Sequence, residues 1–388
     1  MSIANQEMIR DNNRRLVLEY LVNHPPVSRA ELAKQLNLTK ATISNIVQDL
    51  LQQNLVLEIG SAKTAMGKPI LLEFQKNCGY ALAIDVRPNQ IITLAANLKG
   101  ENCKVQEYAF YQDQELLSLL KEIIAGQIAK YSHTPYGIVG IAVGIYGVVN
   151  NNRILFTPYY PLPQPDLGQI LEDIFHLPVI VENESNFSVL GESAFHFGYK
   201  NMIHINVHDG IGMGILIGEH LYKGHDGYAG EFGHTILFPD GKPCPCGNCG
   251  CLEQYASEKA ILEEYAARTG QIQVTMDQFL ADYQQKLPAA LEMMDLFVKY
   301  MSIGINNIIN TFNTDLIVIN SAFSNYIPDI NSRILEYLSK HQNRDCKIIS
   351  SKLQDISGLM GGIRVCVECF LDIQHLQIQT HHKDLEII

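Results

Sequence analysis

The 388-residue chain has no apolar run of membrane-spanning length, and its first segment, Met1 to Arg15, is polar, lacking the apolar stretch and small-residue cleavage site of a secretory signal. A cytoplasmic protein with no membrane partner is therefore expected. Cysteine is scarce outside one cluster. Cys78, Cys103, Cys346, Cys366 and Cys369 are scattered through apolar or strand-like surroundings, and the odd total of nine argues for a reducing compartment rather than a disulfide framework. Cys366-Val367-Glu368-Cys369 has the spacing of a redox pair, but the apolar run around it favours ordinary packing. Internal repeats and low-complexity tracts are absent, and so is any excess of positive charge: the net charge is −12. That balance excludes nucleic-acid binding by the chain as a whole. Residues 1–72, however, carry eight Lys/Arg against six Asp/Glu, which leaves −14 for the remainder. Length and a hydrophobic content of 47% allow two or three domains around a large core.

The weakly basic first segment has a helical grammar. Leu16, Val17, Tyr20 and Leu21 form an apolar stripe that ends at Pro25-Pro26. Ser28-Arg29-Ala30-Glu31 reads as a capping box opening a second helix that buries Leu32, Ala33 and Leu36. Thr39 then caps a third helix with Ile43, Ile46, Val47 and Leu50 on its inner face. Its other face offers Lys40, Thr42, Ser44, Asn45 and Gln48, short or amide side chains suited to base edges, while Arg29 and Lys40 are placed to approach phosphate. Two strands, 56–59 and 69–72, joined by a polar loop bearing Lys63 and Lys68, complete a winged helix-turn-helix over residues 1–75. A helical module that docks protein is the alternative for so mildly basic a surface.

The cysteine cluster lies far downstream. Gly230-Glu231-Phe232-Gly233-His234 is followed by Cys244-Pro245-Cys246-Gly247-Asn248-Cys249-Gly250-Cys251-Leu252-Glu253. Thiolates two and five residues apart, with Gly247 and Gly250 permitting tight reversal, can converge on one ion with an imidazole. The expected set is His234, Cys244, Cys246 and Cys251, a structural zinc site with no position left for water, Cys249 pointing elsewhere.

Near-continuous apolar strands at 80–86, 91–98, 137–143 and 316–319, separated by helices, indicate an α/β body with sheets covered on both faces. A strand at 177–181 delivers Glu182-Asn183-Glu184-Ser185-Asn186 at its end, where open α/β sheets hold ligands. Gly210, Gly212 and Gly214 suit close backbone approach, either to a ligand or to a neighbouring strand.

Taken together, the Glu231-x-Gly233-His234 and Cys244-x-Cys246-Gly247-x-x-Gly250-Cys251-x-Glu253 pattern, the Glu182-Asn183-Glu184-x-Asn186 segment with Gly191-Glu192, and the winged helix in front resemble a transcriptional regulator of the ROK family (repressors, open reading frames and sugar kinases), in its xylose-operon-repressor-like branch. The resemblance covers nearly the whole chain. It implies a two-lobed actin-like (ribonuclease H-like) α/β body with a sugar cleft between the lobes, a first lobe at 78–190, and a second at 191–388, with return of the C-terminal segment to the first lobe as an alternative. It also implies zinc in the cleft wall and assembly as a homodimer or homotetramer. Family sugar contacts fall on Asn183, Glu184, Glu231, His234 and Glu253. Partners would be double-stranded operator DNA and an aldose, xylose, glucose or a related sugar. Tyr146, Tyr159, Tyr160 and the Pro161–Pro165 loop are candidates to close the pocket and set its size, with a surface or interface role as the equal alternative.

Three departures from the kinase members of that family favour a sensor. Asp85-Val86-Arg87-Pro88-Asn89 replaces a flexible phosphate loop, and Pro88 lacks a backbone donor. Asp209-Gly210-Ile211 brings a carboxylate to the second phosphate loop, and Asn320-Ser321-Ala322-Phe323 replaces a glycine-rich turn. Glu184 stands where kinases place an aspartate base, leaving it a vestigial base candidate. The expectation is a sugar-responsive repressor that is no enzyme and takes no ATP, with a sugar kinase or a nonenzymatic partner-binding regulator as alternatives.

Overall fold

A computed structural model describes residues 3–61, 70–111, 115–158, 165–196, 198–339, 346–379 and 386–387. Lys63, Lys68, Tyr159, Tyr160 and residues 161–164 lie outside the described residues.

The N-terminal module contains α1 (Ile3–Asn23), β1 (Val27–Ser28), α2 (Arg29–Gln35), α3 (Lys40–Gln52), β2 (Val56–Ser61) and β3 (Ile70–Phe74). Its three strands lie in the order β1-β3-β2, antiparallel throughout. Val17, Leu18, Leu21 and Val22 of α1 pack inward with Leu32, Ile43, Val47 and Leu50, forming the small core on which α3 rests. Leu16 does not join the expected stripe: it is exposed, and Leu18 and Val22 take the inner positions. The capping box is also only half formed. Ser28 Oγ accepts the Glu31 N–H at 3.2 Å, but the Glu31 carboxylate accepts Gln35 Nε2 at 2.6 Å, one turn further along the same helix face. Thr39 caps α3 through the Thr42 N–H at 3.1 Å.

The remaining chain carries two mixed sheets. The first comprises β4 (Tyr80–Arg87), β5 (Gln90–Asn97), β6 (Lys104–Ala109), β7 (Ile138–Ile145) and β10 (Val179–Asn183), with α4 (Leu116–Tyr131) and α5 (Leu167–Phe175) between strands. The short ribbon of β8 (Val148–Asn150) and β9 (Arg153–Phe156) follows β7. The second comprises β11 (Met202–Val207), β12 (Ile211–Ile217), β13 (His220–Leu221), β14 (Leu316–Asn320) and β15 (Lys347–Ser350), accompanied by α6 (Glu184–Phe195), α7 (Glu253–Ala256), α8 (Glu258–Thr269), α9 (Met276–Gln284), α10 (Pro288–Phe312), α11 (Ala322–Tyr326) and α12 (Ile330–Ser339). After α13 (Ser357–Leu371), β16 (Glu386–Ile387) pairs in parallel with β6, so the first sheet runs β10-β7-β4-β5-β6-β16 and the second β13-β12-β11-β14-β15. Central strands of both sheets are buried along their length, as expected where helices cover both faces.

The chain divides into two compact units, Met1–Glu182 with Leu359–Ile388, and Asn183–Gly358. The division falls at the β10–α6 junction, eight residues before the boundary expected after Leu190, because α6 packs on β11 and β12 of the second sheet. Close backbone approach by the glycines of β12 is to this helix and not to a strand: a Cβ on Gly212 would stand 2.2 Å from Ser185 Oγ, and one on Gly214 2.2 Å from the Ser185 carbonyl oxygen.

Beneath the second sheet, His204 of β11 is wholly buried, and neither ring nitrogen has a hydrogen-bond partner among the described residues. The facing polar groups are Glu192, which accepts Ser351 Oγ, and His196, 3.3 Å from the Glu192 carboxylate. Burial pushes the His204 imidazole down to about 4, with Glu192 opposing the shift and His208 and His196 adding to it. An unfolded chain takes up this proton near 6.5, earlier than the folded one on acidification, so the contribution is complete above 6.5 and is lost as pH falls towards 4. His204→Leu should flatten the acid limb of the stability profile by up to about 3 kcal/mol. Denaturant unfolding of both proteins across that window measures the difference; parallel profiles would refute it.

Candidate functional site

Between Phe232 and Leu252, which are core residues, the connection from β13 to α7 has little apolar anchorage. From Thr235 to Cys249 the only buried residue is Cys244. Its shape is set by backbone instead: Cys244 N–H donates to the Asn248 carbonyl at 2.8 Å, Gly250 N–H to Lys242 at 2.8 Å and Leu237 N–H to Gly250 at 2.7 Å. Gly250, at φ +77°, is required, since a Cβ there would lie 1.6 Å from the Phe238 carbonyl oxygen.

These turns bring ligand atoms of His234, Cys244, Cys246 and Cys251 within 4.8 Å of one another. Cys246 and Cys251 sulfurs are 3.6 Å apart, as are Cys244 Sγ and His234 Nδ1. All nine cysteines are free thiols. Cys249 is exposed and outside the group. Burial pushes the Cys244 and Cys251 thiols up, so thiolates here require a compensating cation. Three sulfurs and an imidazole in this space fit a four-coordinate, soft-to-borderline divalent ion.

On the same loop His234 faces two carboxylates. Its Nδ1 is 3.5 Å from Glu253 Oε1, and its Nε2 is 3.7 Å from Glu231 Oε2. Burial pushes the Glu231 carboxyl up, with Glu253 adding to the shift and His234 opposing it. Gln254, which the spacing of the motif does not single out, donates to Glu253 Oε1 at 3.3 Å and to Cys244 Sγ at 3.7 Å, tying the carboxylate to the sulfur cluster.

Asn183 and Glu184 lie at the start of α6. Asn183 Oδ1 caps the helix, accepting the Ser185 and Asn186 N–H groups at 2.9 and 3.1 Å, while its Nδ2 donates to Glu184 Oε2 at 2.9 Å. Ser185 Oγ donates to the other Glu184 oxygen at 2.5 Å. The two groups flank one stretch of β12. A Cβ on Gly212 would lie 3.1 Å from Glu184 Oε1, and one on Gly233 would lie 2.4 Å from the Ile211 carbonyl and 3.2 Å from Glu253 Oε2. Gly212 and Gly233 are therefore spacers that let both carboxylates approach the Ile211-Gly212 backbone.

In the N-terminal module Lys40, Ser44, Asn45 and Gln48 are exposed on α3, and Thr42 is half-buried with its hydroxyl 2.9 Å from Thr39 Oγ1. Arg29 is paired with Glu58 of β2 at 2.7 Å, so it must exchange that partner to meet a phosphate.

At the positions of the first and third kinase-type loops the chain makes bonds to its own groups. Arg87 pairs with Asp85 at 2.7 Å, and Arg87 and Gln90 are register partners, leaving Pro88-Asn89 as a two-residue turn. After β14, Asn320 Nδ2 reaches Asn206 Oδ1 at 3.0 Å, the Gln354 carbonyl at 3.2 Å and His208 Nε2 at 3.3 Å. Glu258 accepts the Ser321 hydroxyl at 2.9 Å and the Ala322 N–H at 2.5 Å. Nothing in the spacing of Glu258 signals this role.

Residues 81–367 match the ROK family model. The chain belongs to the ROK family. Residues 12–62 match the MarR family model, in agreement with a winged-helix module ahead of the ROK body. The xylose repressor of Bacillus spizizenii is 31% identical over 383 residues, covering 96% of this chain and 99% of that protein. A solved ROK family transcriptional regulator, a homologue of the E. coli MLC protein, superposes with a TM-score of 0.80 at 24% identity, covering 95% of this chain and 98% of its own. A ROK family glucokinase from Streptomyces griseus, solved with glucose and AMPPNP, gives a TM-score of 0.64 at 22% identity over 74% of this chain and 99% of its own. These structural likenesses establish the two-lobed actin-like α/β fold expected for the body, with the winged helix-turn-helix in front of it.

Gly214→Ala should destabilise the second unit by about 1–3 kcal/mol, since its Cβ would lie 2.2 Å from the Ser185 backbone carbonyl and 2.8 Å from Val189 Cβ, neither of which can rotate away. Urea unfolding measures this; unchanged stability would mean that α6 is free to retreat.

Proposed function

We propose that this chain is a sugar-responsive repressor, acting in the cytoplasm, whose winged helix binds double-stranded operator DNA and whose ROK body binds an aldose that alters operator affinity. The observation that carries the reading is the presence, in one chain, of a recognition helix with an exposed polar face and a carboxylate–imidazole set anchored to a sulfur cluster. The sequence likeness to a xylose repressor over the whole length supports it.

In this reading Lys40, Thr42, Ser44, Asn45 and Gln48 read the major groove, with Arg29 and the wing lysines Lys63 and Lys68 on the backbone or minor groove. Assembly as a homodimer or homotetramer sets two recognition helices roughly 34 Å apart on a pseudopalindromic site. Asn183, Glu184, Glu231, His234 and Glu253 bind the sugar hydroxyls, and xylose, glucose or a related aldose is the effector. All five belong to the second unit.

The cation is zinc, held by His234, Cys244, Cys246 and Cys251, and its role is structural: it fixes the loop carrying Glu231, His234 and Glu253. His234 turns Nδ1 towards Cys244 and Nε2 towards Glu231, an orientation that suits one nitrogen for the metal and the other for a sugar hydroxyl. His234→Ala should therefore lower both zinc content, by elemental analysis, and sugar affinity, by calorimetry, by 10-fold or more, on the order of the 10–100-fold loss typical of supporting metal-site groups. Full zinc occupancy with unchanged sugar binding would refute the dual role.

Phosphoryl transfer is not the proposed activity, and no ATP is used. Asp85 with Arg87, and Glu258 at the Ala322 N–H, put the chain's own carboxylates and a guanidinium on the loops that kinases of this family leave for phosphate. Glu184 is retained as a sugar ligand, its two oxygens held by Asn183 and Ser185.

The deciding experiment is operator binding by the full chain with a panel of pentoses, hexoses and disaccharides. One aldose should weaken binding, and operator DNA should weaken the binding of that aldose by the same factor, because coupling between two sites is reciprocal. Operator affinity unaffected by every sugar would overturn the reading.

A further inference from the structure

The helix α13 abuts the sugar end of the proposed signalling path and reaches the reader end through its immediate neighbours. Its first turn, Ser357 and Gly358, belongs to the second unit, and from Leu359 onward it belongs to the first. At Gly358 a Cβ would lie 3.3 Å from the Glu184 carbonyl oxygen and 3.3 Å from Ser188 Oγ, so the opening of α13 abuts the turn of α6 that carries Asn183 and Glu184. Along its middle the helix lies directly on the first sheet. A Cβ on Gly362 would stand 2.7 Å from Ala142 Cβ and 3.1 Å from Ala83 Cβ, and Gly140 leaves room for Cys366 at 3.3 Å. So close a fit, with small groups on both sides, leaves few rotamers to absorb a displacement of the helix.

At its far end α13 reaches the DNA reader by two routes. The Phe370 ring meets Tyr136 edge-on at 5.0 Å, and Tyr136 donates its hydroxyl proton to the carbonyl of Gln53 at 2.5 Å. Gln53 is the C-cap of the recognition helix α3, and its side chain also accepts Arg14 from α1 at 2.9 Å. The second route is the tail after α13. Glu368 accepts Arg364 at 2.8 Å and the Leu376 N–H at 2.9 Å, folding residues 372–378 back, and Ile373, Leu376 and Ile378 are buried. The tail's backbone then bonds α1: Gln374 N–H donates to Glu19 Oε2 at 2.9 Å, Gln377 N–H to Asn23 Oδ1 at 2.9 Å, and Asn23 Nδ2 to the His375 carbonyl at 2.6 Å.

Fifteen residues of α-helix span about 22 Å. We infer that α13 is the rod through which sugar binding at Asn183–Glu184 sets operator affinity: a displacement of the first turn of α6 bears on Gly358, travels along α13, and is delivered to α1 through the 372–378 tail and to α3 through Tyr136. This rests on the sugar-responsive repressor reading and names the route of its regulation. Asn23, Glu19 and Tyr136 are positioning residues, since none belongs to the DNA-reading or sugar-binding sets.

The test uses the full-length chain, two variants that break the route and a third, Glu19→Gln, as the conservative control. Glu19→Ala with Asn23→Ala removes the three bonds between tail and α1, and Tyr136→Phe removes only the bond to the α3 cap. D-xylose, with D-glucose as second probe, is titrated by calorimetry, and operator binding is measured with and without each sugar; melting curves verify folding. Coupling in the unmodified chain is expected on the order of 10-fold or more. The double variant should keep its sugar affinity and its sugar-free operator affinity within about 3-fold while the sugar-induced change in operator affinity falls below about 3-fold. Tyr136→Phe should give a smaller loss of the same kind, and Glu19→Gln, which keeps the acceptor oxygen and leaves Asn23 in place, should respond like the unmodified chain. A response that persists undiminished in both variants overturns the route but leaves the repressor reading standing. If the unmodified chain shows no sugar response, the repressor reading fails and the route fails with it.

Discussion

The convergence of His234, Cys244, Cys246 and Cys251 on one point is the constraint on which the functional half of the molecule depends. The segment 235–249 is mostly exposed, and its apolar anchorage is limited to Leu237 against the core and Phe238 edge-on to Tyr255 and Tyr300 at 4.9 and 5.6 Å. Cys244 Sγ lies 3.6 Å from His234 Nδ1 and 3.3 Å from Glu253 Oε1, and a cation held by the three sulfurs and the imidazole would compensate the sulfurs as thiolates. Once the turn is fixed, His234 has a defined ring orientation, and the positions of Glu231 and Glu253 on either side of it follow. Gln254 then links carboxylate to thiol, so the polar set and the sulfur set behave as one rigid object.

Much of this architecture is legible in sequence because it is written locally. The glycines and cysteines of 244–251 lie within one turn, the apolar strands of the sheets are continuous, and Thr39 sits one residue before the helix it caps. Asn183 at a strand end is likewise readable as a cap, and its amide orienting Glu184 follows from their adjacency.

What sequence does not disclose is pairing across long separations. The half-formed capping box at Ser28 arises because Glu31 has a better neighbour in Gln35, a competition that a motif cannot express. The glycines of β12 announce a close approach but not its partner, which is the first turn of α6 and not a phosphate or a strand. Glu258 lies 64 residues from the Ala322 N–H that it accepts, and Asn23 lies 352 residues from His375. Such partners are brought together only by the return of the chain, and neither composition nor periodicity records them.

The distribution of these long-range bonds bears on how a kinase scaffold becomes a sensor. Arg87 pairs with Asp85 and Glu258 accepts the Ala322 N–H, but such local bonds do not by themselves give the body an output. Output requires a mechanical link to the reader, and α1 and α3 are joined to the rest of the first unit through Asn23, Glu19 and the Gln53 cap. Each of these partners is reached from α13 or its tail. The polar bonds are individually modest, about 1 kcal/mol each, which is the scale a regulatory link needs: coupling between sites is typically 1–3 kcal/mol, and a much stronger attachment would hold the reader in one arrangement whatever the sugar did.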